Sequence, residues 1–244
     1  MSLNPLEQFE IQELILIRLF NNEISLLNNT ELYQIIGIIG LILIMWIQKE
    51  QRLITKKTII NESYNSTLIK LVKEQIGNTK YSPLIITLFS MIIISNLLGM
   101  IPYSFTTTSQ FILTLSLSVS IFIGVTLLGF QQQGIKYLSL LIPMGTPLGL
   151  IPLLVFVELL SYLSRGVSLG IRLGANMMAG HALIKIITFF TFSSLFQNIS
   201  LFSFLFAFLP IIFITALIGL ELGIALLQSY VFIALTCSYI RDTL

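Results

Sequence analysis

The stretch of sequence that decides the fold is residues 153–192, which read LLVFVELLSYLSRGVSLGIRLGANMMAGHALIKIITFFTF. No proline interrupts these residues, and one helix of this length would extend about 60 Å at 1.5 Å per residue. Since the hydrocarbon core of a bilayer is only about 30 Å thick, such a helix must tilt steeply, bend or break. The stretch therefore predicts an over-length membrane helix.

The composition of the whole chain also places it in a membrane. Hydrophobic residues make up 55% of the 244 residues, charged residues make up 10%, and the mean hydropathy is +0.94. Unpaired backbone groups are not tolerated in hydrocarbon, so the chain must cross as helices or as a closed barrel. The apolar runs at 32–47, 83–101 and 111–130 are continuous, not alternating, which favours helices. We predict an all-α integral membrane protein of about five to six helices, without a separate water-soluble domain.

Charge divides the first third of the chain. Residues 1–31 are acidic, and a first span is predicted at 32–48. The segment 49–80 holds seven of the thirteen basic residues, and its apolar clusters predict an amphipathic helix on the membrane surface, with a solvated loop as the alternative. Because basic loops stay on the side from which insertion occurs, this segment should face that compartment and the N-terminus the opposite one.

The remaining two thirds predict two pairs of helices. Residues 83–130 are typical of a helical hairpin, with a polar turn in the middle. A short amphipathic stretch is predicted at 131–144. Residues 148–192 and 206–241 then predict two long tilted helices, which form a second hairpin.

The two long helices contain ionisable side chains where lipid would be expected. These residues are Glu158, Arg165, Arg172, His181, Lys185 and Glu221. Each such group is unfavourable in a bilayer by about 2.5 kcal/mol or more, so together they imply a wet or paired face and a function. The first three follow at seven-residue spacing, and Asn176 shares their side of the helix. Salt bridges that only orient the helices are the alternative, but groups two turns apart should not all pair locally.

Small residues form a second pattern on the same helices. Gly166, Gly170 and Gly174 repeat every four residues, and Gly219 and Gly223 are also four apart. Such repeats let membrane helices approach closely. We expect the two glycine faces to pack against each other, which would turn the polar faces toward a cavity or a partner.

The ionisable groups have different capacities for proton chemistry. An imidazole titrates near neutral pH, so His181 with Glu221 could exchange protons with water. Gln228 lies seven residues beyond Glu221 on the same face. Arg172 is effectively always protonated, so it can hold a carboxylate ionised and repel hydronium but cannot relay protons. This combination suits proton translocation along separated paths.

A known family carries the same residues. SLGIRLGAN at 168–176, followed by AGH at 179–181, closely resembles the signature of subunit a of the rotary F-type ATP synthase. The resemblance extends over the whole chain, including NPLEQFEI at 4–11 and residues 148–158. The chain looks like the mitochondrially encoded fungal form, and its many Ile, Asn and Phe residues suit an AT-rich genome.

The resemblance implies a stator subunit of the Fo sector with no catalytic site, metal or cofactor of its own, and with protons as the transported ion. The implied partners are the c-subunit ring, the peripheral-stalk subunit b, other small Fo subunits and the lipid bilayer, with a dimer of the whole complex and no nucleic acid. The implied location is the mitochondrial inner membrane, with the N-terminus toward the intermembrane space and the C-terminus toward the matrix.

The resemblance also implies roles for individual residues. Arg172 matches the arginine that separates two aqueous half-channels and faces the ring carboxylates. The residues of the entry path from the intermembrane space are His181, Glu221, Asn176 and Gln228, and those of the exit path toward the matrix are Glu158, Arg165 and Asp242. Lys185 departs from the family's pattern, where an apolar residue is expected. It could pair with an acid, extend to the membrane surface or repel positive charge near His181.

Two other classes of function are compatible with the charges alone. A secondary transporter could bind a small anion at buried arginines, although such proteins often have internal repeats and broken helices, which this sequence lacks. A structural assembly subunit would use the charges only to orient helices. In that case the buried charges would be dispensable.

Overall fold

The computed structural model describes residues 7–19, 22–49, 56–101, 104–134, 137, 150–197 and 201–243. Within these ranges the chain forms two strands and six α-helices, together with three short 3-10 turns. The elements are β1 (Glu13–Leu19), β2 (Asn22–Asn28), α1 (Asn29–Lys49), α2 (Lys56–Ile76), α3 (Ser82–Gly99), α4 (Phe111–Gln133), α5 (Ile151–Gln197) and α6 (Leu201–Thr243). The predicted stretch at 131–144 lies mostly outside the described residues, as do the start of the NPLEQFEI motif and residues 50–55 of the basic segment.

Five of these helices are long and apolar enough to cross a membrane. The spans they offer are Asn29–Trp46, Thr79–Gly99, Phe111–Gln133, Ile151–Ser193 and Pro210–Thr243. The prediction of an all-α integral membrane protein is confirmed. The last two helices have 47 and 43 residues, which gives each a length of more than about 60 Å, twice the thickness of the hydrocarbon core.

The acidic N-terminal segment contains a β-hairpin that the sequence analysis did not predict. Strands β1 and β2 pair antiparallel, and Arg18 lies opposite Glu23 near the turn. Both strands are rich in Ile and Leu, and only seven residues long. Short runs of this kind are compatible with either a strand or a helix, so their pattern alone does not decide between the two.

Helix α2 is not among the candidate spans, and one side of it is buried. Leu68 and Val72 are 5% and 0% exposed, whereas Lys70 and Lys73 are exposed. The ring of Tyr64 stacks on Phe89 with 5.7 Å between ring centroids, and burial raises the pKa of Tyr64 to about 12. The loop alternative is therefore wrong for residues 56–76. The position of this helix on a membrane surface stays a prediction.

The chain divides into two compact units, and the two longest helices contribute to both. The first comprises Met1–Leu43, Met91–Gln110 and Gly174–Ser229, and the second comprises Ile44–Ser90, Phe111–Leu173 and Tyr230–Leu244. The second unit has an apolar core in which α2, α3, α4 and the end of α6 meet. Its buried members are Val72, Ile85, Val125, Ile233, Cys237 and Ile240.

In the second unit, the glycines of α5 pack against α4. A side chain at Gly166 would come within 3.0 Å of the Phe122 ring. One at Gly170 would meet the hydroxyl of Ser118 and would lie 2.8 Å from the carbonyl oxygen of Thr114. The missing side chains therefore let α4 and α5 approach closely, as small residues do between membrane helices.

The glycines of α6 have a different environment, and Gly174 is buried in the first unit. Gly219 and Gly223 are exposed, and a Cβ at either position would meet no atom within 4 Å among the described residues. The expectation that the two glycine faces pack together is wrong. The physical reason is that Ser118 and Thr114 give α4 a small-residue surface of its own, which receives Gly170.

Candidate functional site

The candidate site residues of the first unit centre on a pair formed by α5 and α6. His181 Nδ1 lies 3.4 Å from Glu221 Oε1, and the two side chains are 18% and 4% exposed. Gly180 makes this approach possible, because a Cβ there would lie 2.8 Å from the same carboxylate oxygen. The sequence Gly-His thus provides both a space for the carboxylate and a titratable partner for it.

A cavity of about 940 Å³ opens beside this pair. His181 and Glu221 line it, and so does Gln8 of the N-terminal segment. The Nε2 atoms of His181 and Gln8 and both carboxylate oxygens of Glu221 are buried, with no hydrogen-bond partner in the part of the chain that the structure describes. Buried polar atoms of this kind are normally satisfied, often by water, and the cavity has room for many water molecules. The arrangement can therefore exchange protons between water and a buried carboxylate.

Further polar side chains lie in the same unit, beside the part of α6 that follows Glu221 in the chain. Asn176 Nδ2 donates to Gln228 Oε1 at 3.2 Å, and Gln228 is only 3% exposed. Asn96 of α3 is fully buried, and its Nδ2 donates to the carbonyl oxygen of Ala225 at 3.2 Å. Asn96 Oδ1 and Gln228 Nε2 have no partner among the described residues. Amides from three helices thus border the stretch of α6 beyond Glu221.

The sequence analysis missed Asn96. The only signal for it was a single amide inside the apolar run 83–101, of the kind that is costly in a membrane unless it has a partner or a function. Its proximity to Ala225, 129 residues further along the chain, depends on the packing of α3 against α6.

Arg172 belongs to the second unit, where its side chain is exposed on α5. Its neighbours Leu169 and Leu173 are each 2% exposed, so the helix buries one side and presents the arginine on another. A guanidinium on an exposed side of a membrane helix requires an anionic or aqueous neighbour. Arg172 is thus available to a group outside this chain.

The other predicted exit residues also lie in the second unit. Arg165 Nη2 is 3.9 Å from Glu158 Oε1, with side chains 44% and 42% exposed, and Arg241 lies 3.8 Å from Asp242. Glu158 and Arg165 thus pair across one seven-residue step, which is compatible with the expectation that Glu158, Arg165 and Arg172 do not all pair locally. Both side chains are long enough to span two helical turns by extending toward each other.

Among the described residues, no three His, Cys, Asp or Glu side chains cluster in a way that could hold a metal ion. The arrangement instead distributes single ionisable groups along two helices. His181, Glu221, Asn176 and Gln228 are brought together in one unit, and Glu158, Arg165, Arg172 and Asp242 belong to the other.

Known proteins are similar in sequence to this chain over its whole length. Residues 32–241 match the model of the family described as ATP synthase A chain. ATP synthase subunit a of Trichophyton rubrum is 48% identical over 248 residues, which cover 99% of this chain and 96% of the relative. The protein of that name from Zancudomyces culisetae is 46% identical, over 100% and 99% of the two chains, and that from Brassica napus is 45% identical, over 99% and 96%.

Proposed function

Because this chain belongs to the ATP synthase A chain family, the proton-translocating Fo subunit without a catalytic site of its own, we propose that its two groups of polar residues are the two halves of a proton path. The observation that carries the proposal is the His181–Glu221 pair beside a cavity of about 940 Å³. A buried carboxylate whose oxygens accept no hydrogen bond from the described residues suits the uptake of protons from water next to such a cavity. Neither a transporter site nor a purely structural role is favoured by this family.

In the proposed path, protons enter through the cavity and reach Glu221, with His181 as its partner. Asn176, Gln228 and Asn96 line the continuation along α6, where their amide groups can hold water molecules. The proton then passes to a carboxylate on the ring of c subunits. The side chains that line this continuation are neutral amides. They add no fixed charge that would hold water molecules in place.

Arg172 serves as the barrier between the two paths. A guanidinium keeps its charge at every working pH, so it stabilises an ionised ring carboxylate and repels a hydronium ion. Its exposure on α5 leaves it free to meet the ring. Glu158, Arg165 and Asp242 form the exit path on which the released proton leaves.

The setting of the chain follows from the same proposal. It is a multi-pass subunit of the Fo complex in the mitochondrial inner membrane, beside the c ring, the peripheral-stalk subunit b and other small Fo subunits, in a complex that can dimerise. The basic segment 49–80 supports a matrix location for that segment, with the N-terminus toward the intermembrane space and the C-terminus toward the matrix.

Replacement of Arg172 tests the proposal. We expect Arg172→Ala to abolish proton-driven ATP synthesis in assembled membranes and to permit passive proton leak, because nothing then separates the two paths. Lys73→Ala, which removes an exposed charge from α2, is the matched control and should leave synthesis intact. Preserved coupling in Arg172→Ala would refute the proton-path role and favour a structural subunit, and anion uptake by this chain would favour a transporter.

A further inference from the structure

The cavity beside Glu221 carries two charges that the proposed path does not use. Lys185 lines it from α5, and Glu10 lines it from the N-terminal segment. Lys185 is half-buried and lies four residues, about 6 Å along the helix, beyond His181. An ammonium and a carboxylate therefore border the space from which Glu221 receives its protons.

Hydrogen bonds fix the N-terminal segment on both sides of Glu10. The side-chain amide of Gln110 donates to the carbonyl oxygen of Phe9 at 2.8 Å. The backbone N–H of Asn29 donates to the carbonyl oxygen of Gln12 at 3.1 Å. Gln8, Glu10 and Gln12 all line the cavity. Residues 8–12 thus form one wall of it, which we call the N-terminal wall.

We propose that Lys185 and Glu10 set the charge of the entry cavity, and through it the pH range in which protons reach Glu221. The N-terminal wall is then part of the proton path. This inference rests on the proposed function of the cavity but assigns two residues that the function itself does not require.

Among the residues that the structure describes, the titratable and charged groups of the cavity come from four parts of the chain. They are Glu10 of the N-terminal wall, Tyr33 of α1, His181 and Lys185 of α5, and Glu221 of α6. The described residues of α3 and the turn after it that line the cavity are uncharged, namely Gly99, Met100, Ile101, Ser104 and Phe105. Lys185 and Glu10 are therefore the fixed charges of opposite sign that can bias proton arrival at the His181–Glu221 pair.

The signs of the two effects are opposite. A lysine ammonium is charged throughout the working pH range, so Lys185 repels protons and makes proton entry fail at a lower pH than it otherwise would. An ionised Glu10 attracts protons and extends entry to higher pH. For a unit charge on the wall of a partly aqueous cavity, we expect a shift of the pH profile of roughly half a unit to one unit.

The test uses the whole complex reconstituted in liposomes. ATP synthesis is driven by a potassium diffusion potential while the pH on the entry side is varied. We expect Lys185→Gln to move the alkaline limit of synthesis upward and Glu10→Gln to move it downward, and the double variant to lie near the unmodified complex. Lys185→Arg keeps the charge and should keep the profile. Lys73→Gln, which removes a lysine outside the cavity, is the matched control and should also keep it.

The possible results distinguish the role of Lys185 from that of the N-terminal wall. Unchanged profiles in both single variants, or shifts in the same direction, would overturn it. A shift in Lys185→Gln without one in Glu10→Gln would exclude the N-terminal wall from the path. If Lys185→Gln does not assemble, Glu10→Lys decides, since it should shift the profile about twice as far as Glu10→Gln. Failure of the proposed function itself is recognised separately, by coupled synthesis in Arg172→Ala.

Discussion

The carboxylate of Glu221 occupies the space that a side chain at Gly180 would need, since a Cβ at that position would lie 2.8 Å from Glu221 Oε1 and 3.1 Å from Cδ. A glycine on α5 thus determines where the buried acid of α6 can lie. The same carboxylate oxygen is 3.4 Å from Nδ1 of His181. The geometry of the His181–Glu221 pair therefore depends on a residue that has no ionisable group.

Gly180→Ala should impair proton entry without preventing assembly. The added methyl group displaces the flexible end of the Glu221 side chain away from His181 and leaves the helix backbone in place. We expect a several-fold lower rate of ATP synthesis at normal subunit content, measured in reconstituted membranes. Gly124→Ala is the matched control, because a Cβ at Gly124 would meet no described atom within 4 Å. Equal rates in the two variants would contradict the proposed role of the close approach.

Gln228→Leu should separate stability from function. Gln228 is 3% exposed, and its Nε2 has no partner within the described ranges, whereas its Oε1 accepts from Asn176, so an apolar residue of similar size removes one unsatisfied buried group and one hydrogen bond. Because these two effects oppose each other, we expect the stability of the complex to change by no more than about 1 kcal/mol, while proton conduction falls. The measurements are the thermal midpoint of the complex and its passive proton conductance after removal of the catalytic head. Unchanged conductance would mean that the Asn176–Gln228 pair lies off the path.

Gly170→Ala should destabilise the contact between α4 and α5. Its new methyl group would meet the carbonyl oxygen of Thr114 at 2.8 Å and the Cα of Leu115 at 3.0 Å, so backbone atoms must move. Overpacking of this kind typically destabilises by about 1–3 kcal/mol. A lower thermal midpoint in detergent would show it, with Gly219→Ala as control, since a Cβ at that position would meet no described atom within 4 Å. A midpoint as high as that of the control would mean that α4 yields without strain.

Arg165→Gln should have little effect on stability. Its ion pair with Glu158 spans 3.9 Å between side chains that are 44% and 42% exposed, and such pairs contribute about 0–1 kcal/mol. Any larger loss of ATP synthesis therefore reports on the exit path and not on folding. Thermal midpoint and synthesis rate should be measured on the same preparation. A large loss of stability would instead indicate that the pair holds α5 in place.

Tyr64 lies outside the membrane spans, and its burial makes the stability of the second unit depend on pH. Its pKa is raised from 10.0 to about 12 by burial, so the folded state holds its phenol proton more tightly than the unfolded state. This contribution is fully present below about pH 10 and is lost as the pH rises toward 12. We expect Tyr64→Phe to reduce the loss of thermal stability between these values, with Tyr230→Phe at an exposed position as control. An identical alkaline loss in both variants would contradict the assignment.

The sequence predicted best the features that depend on residues close together in the chain. The continuous apolar runs predicted the spans because a bilayer imposes both composition and length on a helix. The motif at 168–176 indicated the family before any contact was known. The membrane spans and this motif are determined by residues within one short stretch, so the sequence alone is enough to assign them.

The sequence was least informative about which surfaces meet. Glycines four apart showed that α5 has a face for close packing, but not that Ser118 and Thr114 of α4 would receive it. Likewise, the single amide of Asn96 gave no indication of its bond to Ala225. Such contacts join residues far apart in the chain, and they are decided by the fit of whole helices.

The entry cavity also bears on the biosynthesis of this chain. Its wall residue Phe9 is held by Gln110, 101 residues further along the chain, and its buried acid, Glu221, is made later still. A chain that ends before residue 110 lacks the anchor of the wall, and a chain that ends before residue 221 lacks the acid behind it. The proposed access route is therefore complete only when the last helix has entered the bilayer, so incomplete chains would not conduct protons by this route during insertion.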